Sequence, residues 1–197
     1  MIKENTPLLE TARLVLRKFE ESDLEDIFLI YGDREANKFL PWFPLVRSEQ
    51  AAEYFRDKIA PRYTQKVAYQ YAIVLKEDNR AIGYVRIGDV GGSNDMGYGL
   101  RREFWHKGIA VEAGRAVCDK FRGAGYSFMT ATHDIDNPNS GAVIKKLGMT
   151  YRYSYQEQWQ PKDRAVTFRL YQLDFDEKAP TYIEYQTQHP CFVEQIK

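Results

Sequence analysis

The segment His106-Lys-Gly-Ile-Ala110 lies between a strand-like run and an amphipathic helix. A glycine-containing turn at a helix start presents unpaired backbone N–H groups at the positive end of the helix dipole. That suits an anion such as a pyrophosphate. Gly108 has no side chain to hold a ligand off the backbone. An ordinary strand-to-helix turn has the same pattern, so the segment needs context. A second constellation runs from Asn137-Pro-Asn-Ser140 to Lys146-Leu-Gly-Met149. Here Ser140 reads as the N-cap of a short helix and Gly148 as its left-handed C-cap, with room for a second role of the hydroxyl. No metal-ligand spacing is present. His106, His133 and His189 stand far apart, and Cys118 and Cys191 have no spaced partners. Cys118 falls on an apolar helix face and reads as core.

The elements that must position these residues follow from periodicity. Leu14–Leu16 reads as a strand. Leu24, Ile27, Phe28 and Tyr31 have helical spacing, as do Ala51, Ala52, Phe55 and Ile59. Between them, Phe39-Leu-Pro-Trp-Phe-Pro44 is a proline-broken aromatic loop. Tyr71–Leu75 and Ala81–Ile87 form a hairpin around Glu77–Arg80. Asp95–Leu100 is a third strand whose two glycines mark a bulge or a close approach. Ala110–Phe121 is an amphipathic helix ended by Gly123 and Gly125. Ser127–His133 then completes a strand–helix–strand unit, which calls for a parallel pair. Two strand-like runs follow, near Met149–Gln158 and Ala165–Phe175. From about Glu177 the chain is hydrophilic, with scattered Tyr182, Tyr185 and Phe192. That stretch reads as a tail, an added edge strand or a packing arm.

Composition narrows the class. The chain has 197 residues, with 28 Lys plus Arg against 28 Asp plus Glu. A formal charge of zero argues against recruitment to nucleic acid or anionic membrane by bulk attraction. This length can bury about 70% of its unfolded surface, enough for a full core without disulfide staples. No basic-then-apolar leader and no run of about 18 apolar residues occurs. The expectation is a cytoplasmic protein with no nucleic-acid or membrane partner and no metal, as a monomer or homodimer.

Taken together, the motifs resemble the GNAT superfamily of N-acetyltransferases. More narrowly, they are similar to the branch containing ribosomal-protein alanine and serine N-terminal acetyltransferases. The resemblance rests on Glu10-Thr-Ala-Arg-Leu-Val-Leu-Arg17, Gly97-Tyr-Gly-Leu100, Trp105-His-Lys-Gly-Ile-Ala-Val-Glu-Ala113 and Asn137 to Met149, in that order over about residues 9–175. It implies an α/β fold of about seven mostly antiparallel strands flanked by about four helices. The transferase domain would span 1–176, with 177–197 as a tail or added edge element.

The resemblance also implies acetyl-CoA as co-substrate and an amine as acceptor. The pyrophosphate would rest on the backbone of His106, Lys107, Gly108, Ile109 and Ala110. The pantetheine arm would run beside Tyr98, Gly99 and Leu100, with Asn137 touching the arm and Lys145 or Lys146 the nucleotide phosphates. Asp95 would act as general base, standing where relatives often carry Glu, and the Leu100 N–H would stabilise the oxyanion. Many relatives use a Tyr four residues before the helix-ending Gly; that place is Ile144 here. Ser140 is then the candidate acid, with Tyr98 and Tyr126 as fallbacks. Phe39, Trp42, Phe43, Tyr98 and His133 would line the acceptor side, and Glu112 reads as a solvated acid at a helix start. The expected reaction is acetyl transfer to a protein or peptide α-amine. The alternatives are a small-molecule amine, or an acyl-CoA-binding module without turnover.

Overall fold

The computed structural model describes residues 4–195; residues 1–3, in the expected domain, and 196–197, in the expected tail, lie outside the described residues. The strands are β1 (Leu9–Glu10), β2 (Leu14–Arg17), β3 (Tyr69–Leu75), β4 (Ala81–Gly88), β5 (Asp95–Leu100), β6 (Phe128–Asp134), β7 (Thr150–Trp159), β8 (Arg164–Asp174) and β9 (Cys191–Phe192). The helices are α1 (Leu24–Gly32), α2 (Gln50–Tyr54), α3 (Ala60–Tyr63), α4 (Ile109–Gly123), α5 (Pro138–Lys146) and α6 (Glu184–Gln188). A π-helical turn, Phe55–Ile59, joins α2 to α3. The fold class is the expected mixed α/β architecture. The sheet holds nine strands rather than about seven, because two-residue strands, β1 and β9, add an edge at each end.

The sheet order is β1-β2-β3-β4-β5-β6-β8-β7-β9. Every neighbouring pair is antiparallel except β5 and β6, the parallel pair that the α4 crossover requires. These two strands pair in register only at Asp95↔Thr130 and then part. β5 keeps an unbroken register with β4, so the expected bulge is absent. Its glycines serve close packing instead. A Cβ on Gly99 would stand 2.7 Å from the Tyr84 ring, and one on Gly97 would stand 3.3 Å from Arg86 Nε.

Side chains alternate across the pleat, so the sheet has two distinct faces. On one face Met96, Leu100, Met129, Ala131 and Tyr171 pack against Ala113, Val117 and Phe121 of α4 and Ile144 of α5. On the other face Ala72, Val74 and Tyr84 pack under Ile27, Ile30, Tyr31 and Ile59 of the N-terminal helices. Further along that same face, Tyr153, Tyr155, Phe168 and Leu170 pack with Tyr182 from the C-terminal segment. That segment is therefore both an edge strand and a packing arm. β9 pairs with β7, and the Glu194 carboxylate accepts from Ser154 and Arg169 while its N–H donates to the Tyr151 hydroxyl.

Candidate active site

The head of α4 leaves several backbone N–H groups unpaired. Gly108 is its N-cap at φ 75°, a left-handed conformation that disfavours other residues, and the chain enters through His106 at φ 58°. The first helical bond runs from Glu112 N to Gly108 O. The N–H groups of Ile109, Ala110 and Val111 thus have no helical partner. His106, Lys107 and Gly108 are exposed around them. The turn is held from below by residues one hundred positions away. Glu112 accepts from the Thr11 hydroxyl at 2.6 Å, from Arg13 N at 3.0 Å and from Arg13 Nε at 2.7 Å. Arg13 also donates to the Lys107 carbonyl at 3.1 Å. Burial alone would raise the Glu112 carboxyl; the hydrogen bonds from Thr11 and Arg13 outweigh it and hold the group below its ordinary range.

The parting of β5 from β6 supplies a second run of free backbone. Arg101 N donates to Ile82 O, towards β4. Alternation then turns the N–H groups of Leu100 and Tyr98 the other way, into the gap that β6 has left. By the same rule Gly99 bonds towards β4. The Tyr98 ring crosses the gap. Its hydroxyl donates to the Ser140 carbonyl at 2.8 Å and lies 2.8 Å from Ser140 Oγ. Burial pushes the Tyr98 phenol well above its ordinary value, so it is protonated, a donor, at neutral pH.

On the opposite face of the same strands, the strip of β4 and β5 between two aromatic clusters is termed the groove. On its floor the Tyr84 ring lies against Gly99 and Arg86 against Gly97, with Asp95 on the same face of β5. One wall is aromatic: Tyr31 stacks on Tyr84 at 5.2 Å, Tyr54 lies 4.4 Å from Tyr31, and Trp42 sits under the Arg86 guanidinium. The other wall is Tyr155 and Tyr185, 4.9 Å apart, with His189 stacked on Tyr155. Lys162 links the walls, donating to the carbonyls of Asn37 and Lys38. Asp95 Oδ1 is buried with no hydrogen-bond partner. Burial raises its carboxyl to about 6; the Asp89 charge adds to this, and Arg86, Thr130 and Thr132 oppose it. A carboxylate poised there is half-way to the pH at which a general base works best. Tyr185 feels the same carboxylate: burial and then the Asp95 charge raise its phenol to about 12.

A model of the acetyltransferase (GNAT) domain matches residues 13–150, well over half of the chain. The chain belongs to the GNAT acetyltransferases. An uncharacterised N-acetyltransferase of Bacillus subtilis (strain 168), YoaA, is 26% identical over 159 residues, 76% of this chain and 89% of that protein. Among solved structures, a GNAT-family acetyltransferase from Bacillus anthracis superposes with a TM-score of 0.73 at 20% identity, covering 86% of this chain and 99% of that one. The microcin C7 self-immunity acetyltransferase MccE, solved with acetyl-CoA and AMP, gives 0.71 at 18% identity over 83% and 93%. At these identities the solved structures share the fold.

This GNAT enzyme gathers some of the expected residues and scatters others. His106 to Ala110, Tyr98, Leu100, Asn137 and Ser140 all stand around the gap and the head of α4. Ser140 is not the N-cap of α5. Asn137 holds that place, its side chain accepting from Ser140 N at 3.2 Å with Pro138 behind it, which frees the serine hydroxyl for Tyr98. Lys145 and Lys146 are exposed in the last turn of α5. Glu112 is a clamp between α4 and the β1–β2 turn rather than a solvated acid. Of the expected acceptor residues, Trp42 lines the groove and Phe39 lies beside Arg164. Phe43 is 63% exposed and lines nothing. Tyr98 and His133 point to the other face: an added Cβ on Gly141 of α5 would stand 2.7 Å from His133 Nε2. Burial keeps the His133 pKa below its ordinary value. Asp134, at the end of β6, is bound to Arg164. Cys118 is core, its thiol pushed up to about 12 by burial. Arg86, Tyr84, Tyr155 and Tyr185 are the groove residues that sequence spacing did not mark. Among the described residues no group of three or more His, Cys, Asp or Glu could hold a metal, and no helix is long and apolar enough to cross a membrane.

Proposed function

We propose that this chain transfers acetyl from acetyl-CoA to a primary amine by direct attack, with the co-substrate on the gap side of β5 and the acceptor in the groove on its other face. The observation that carries this is the double set of unpaired N–H groups, at Tyr98 and Leu100 and at Ile109 to Val111, leading to one left-handed glycine. A pyrophosphate needs the second set and an extended amide-bearing arm needs the first. Lys107 adds positive charge at the same end, so a chain of zero net charge can still hold a polyanion.

Each residue then has a task. Asp95 takes the proton from the attacking amine, directly or through water, because its Oδ1 offers an unused acceptor and its pKa of about 6 leaves it ionised at pH 7. The N–H of Leu100, or of Tyr98 beside it, donates to the oxyanion that develops as the amine adds. Ser140, hydrogen-bonded to the protonated Tyr98 phenol, donates towards the departing sulfur, whose thiol has an ordinary pKa of about 8.5. Ile144 is fully buried core, so the hydroxyl that relatives carry there is replaced by that of Ser140, one turn earlier on α5 and held by Tyr98 of β5.

The motif resemblance favours a protein or peptide α-amine as acceptor. The groove favours a small amine, because Lys162 ties its two walls together across the Asn37–Lys38 carbonyls. Titration calorimetry with acetyl-CoA, followed by thiol release against peptides and small amines, tests the reading. Micromolar binding with release that depends on an amine supports it. No binding at high micromolar concentration refutes it.

A further inference from the structure

Arg86 makes no hydrogen bond or ion pair through its side chain among the described residues, although it is partly buried. Its guanidinium lies over the Trp42 ring at 5.9 Å, and its charge is felt by Tyr31, Tyr54, Tyr84 and Asp95. Removing a guanidinium from water without an anion in contact is costly, and Asp95, whose charge it feels, makes no hydrogen bond or ion pair with it among the described residues. The sheet register fixes where a counter-charge would sit. Arg86 pairs with Gly97, and Asp95 is two residues along β5 on the same face. Such diagonal neighbours stand about 7–8 Å apart at Cα. Among the described residues Arg86 forms no ion pair, and Asp95 Oδ1 is itself without a hydrogen-bond partner. The Arg86 side chain lies against Gly97 and the Tyr84 ring against Gly99.

Resting on the transferase reading above, we infer that the acceptor carries an anionic oxygen group a few atoms from its amine, held by Arg86 while the amine faces Asp95. A free α-amino acid has this layout, with the ammonium and carboxylate on adjacent carbons. A short aminoalkyl phosphate also has it. A guanidinium recognises either anion by the same paired N–H geometry. A polyamine has no group for Arg86 and would place a cation against it.

Matched acceptors test this on the intact enzyme: free amino acids, their carboxamides and aminoalkyl phosphates, each with wild type, Arg86→Lys and Arg86→Gln. The expected kcat/KM preference for the anionic member of a pair is roughly 10–100-fold in wild type. Arg86→Gln should erase it by raising KM for the anionic acceptor about 10-fold or more beyond any change for the carboxamide, which shares the effect of the lost charge on Asp95. Arg86→Lys should keep part of it. A preference for carboxylates over phosphates, or the reverse, separates the two anions. Equal loss for both members of a pair, or a wild-type preference for the carboxamide, overturns the inference. Calorimetric binding of the anionic acceptor to the enzyme–CoA complex gives a readout that needs no turnover. Wild-type binding that Arg86→Gln abolishes supports the inference even if no acetyl moves, and in that case the transferase reading is what fails. Absence of such binding, with transfer to carboxamides or peptides intact, sinks the inference alone. Unchanged acetyl-CoA affinity in the variants shows that they are folded.

Discussion

The two sides of β5 are made from different materials. The gap side is mostly backbone: the N–H groups of Tyr98, Leu100 and Ile109 to Val111, with one glycine in a left-handed turn. The groove side is mostly side chain, gathered from α1, α2, β4, β5, β7 and the C-terminal arm. Backbone N–H groups bind any ligand with the same phosphates and amides, so this side depends on a short continuous stretch. Side chains select a particular acceptor, so that side is assembled from distant pieces and can change without disturbing the first. The comparison gives a rule: variants on the gap side should move co-substrate affinity, and variants in the groove should move turnover or acceptor KM alone.

The largest departure should come from Asp95. Asp95→Asn is expected to lower kcat by about 10²–10⁴-fold with acetyl-CoA affinity unchanged, as calorimetry and thiol release will show. Wild-type kcat/KM should fall as the pH drops through about 6, and the variant should lack that limb. The same carboxyl has a stability signature. Its pKa is raised in the fold from 3.8, so between about 4 and 6 the folded chain holds the extra proton and stability falls as pH rises. Asp95→Asn removes that cost, and its Tm at pH 8 should exceed that of the parent. Next comes Gly108→Asp, which places a charge and a Cβ at φ 75° and should weaken acetyl-CoA binding by on the order of 100-fold. Tyr185→Ala opens the arm-side wall; acceptor KM should rise about 10-fold at constant co-substrate affinity. The smallest effect is expected from Glu112→Gln. It keeps the shape but loses the charge facing Arg13, and acetyl-CoA affinity should drop about 3–10-fold in calorimetry. A groove variant that shifts co-substrate affinity as much as Gly108→Asp would break the division.

What the sequence discloses follows the same line. The head of α4 and the strand before it are local, and a glycine between a strand and an apolar-striped helix reads as an anion cradle once the neighbouring motifs supply the context. Hence the gap-side residues were legible and the structure brings them together. Glu112 was misread because its partners, Thr11 and Arg13, are about one hundred residues away; a helix-start acid carries no mark of a distant clamp. The Ser140 cap was misread because Asn137, three residues earlier, opens the helix first, its side chain accepting from Ser140 N with proline at the first helical position. The β5 bulge was inferred from glycines that serve Tyr84 and Arg86 across the strand pair. The aromatic groove was half legible. Trp42 announced itself in a proline-broken loop, whereas Tyr84, Tyr155 and Tyr185 belong to three elements whose convergence only the register reveals. His133 was assigned to the acceptor side by its place at a strand end, and one step of alternation puts it on the other face, under α5.

The central claim is that the backbone on the gap side of β5 and at the head of α4 holds acetyl-CoA. Residue-resolved amide hydrogen exchange with and without acetyl-CoA tests it most directly, since these N–H groups have no partner in the free chain and should exchange fast. The account predicts slowing of about 10-fold or more at Tyr98, Leu100, Ile109, Ala110 and Val111, with Gly97 and Gly99, already bonded towards β4, little changed. Unchanged exchange at those five amides while acetyl-CoA is bound, or protection centred on the Arg86–Asp95 groove instead, would contradict it.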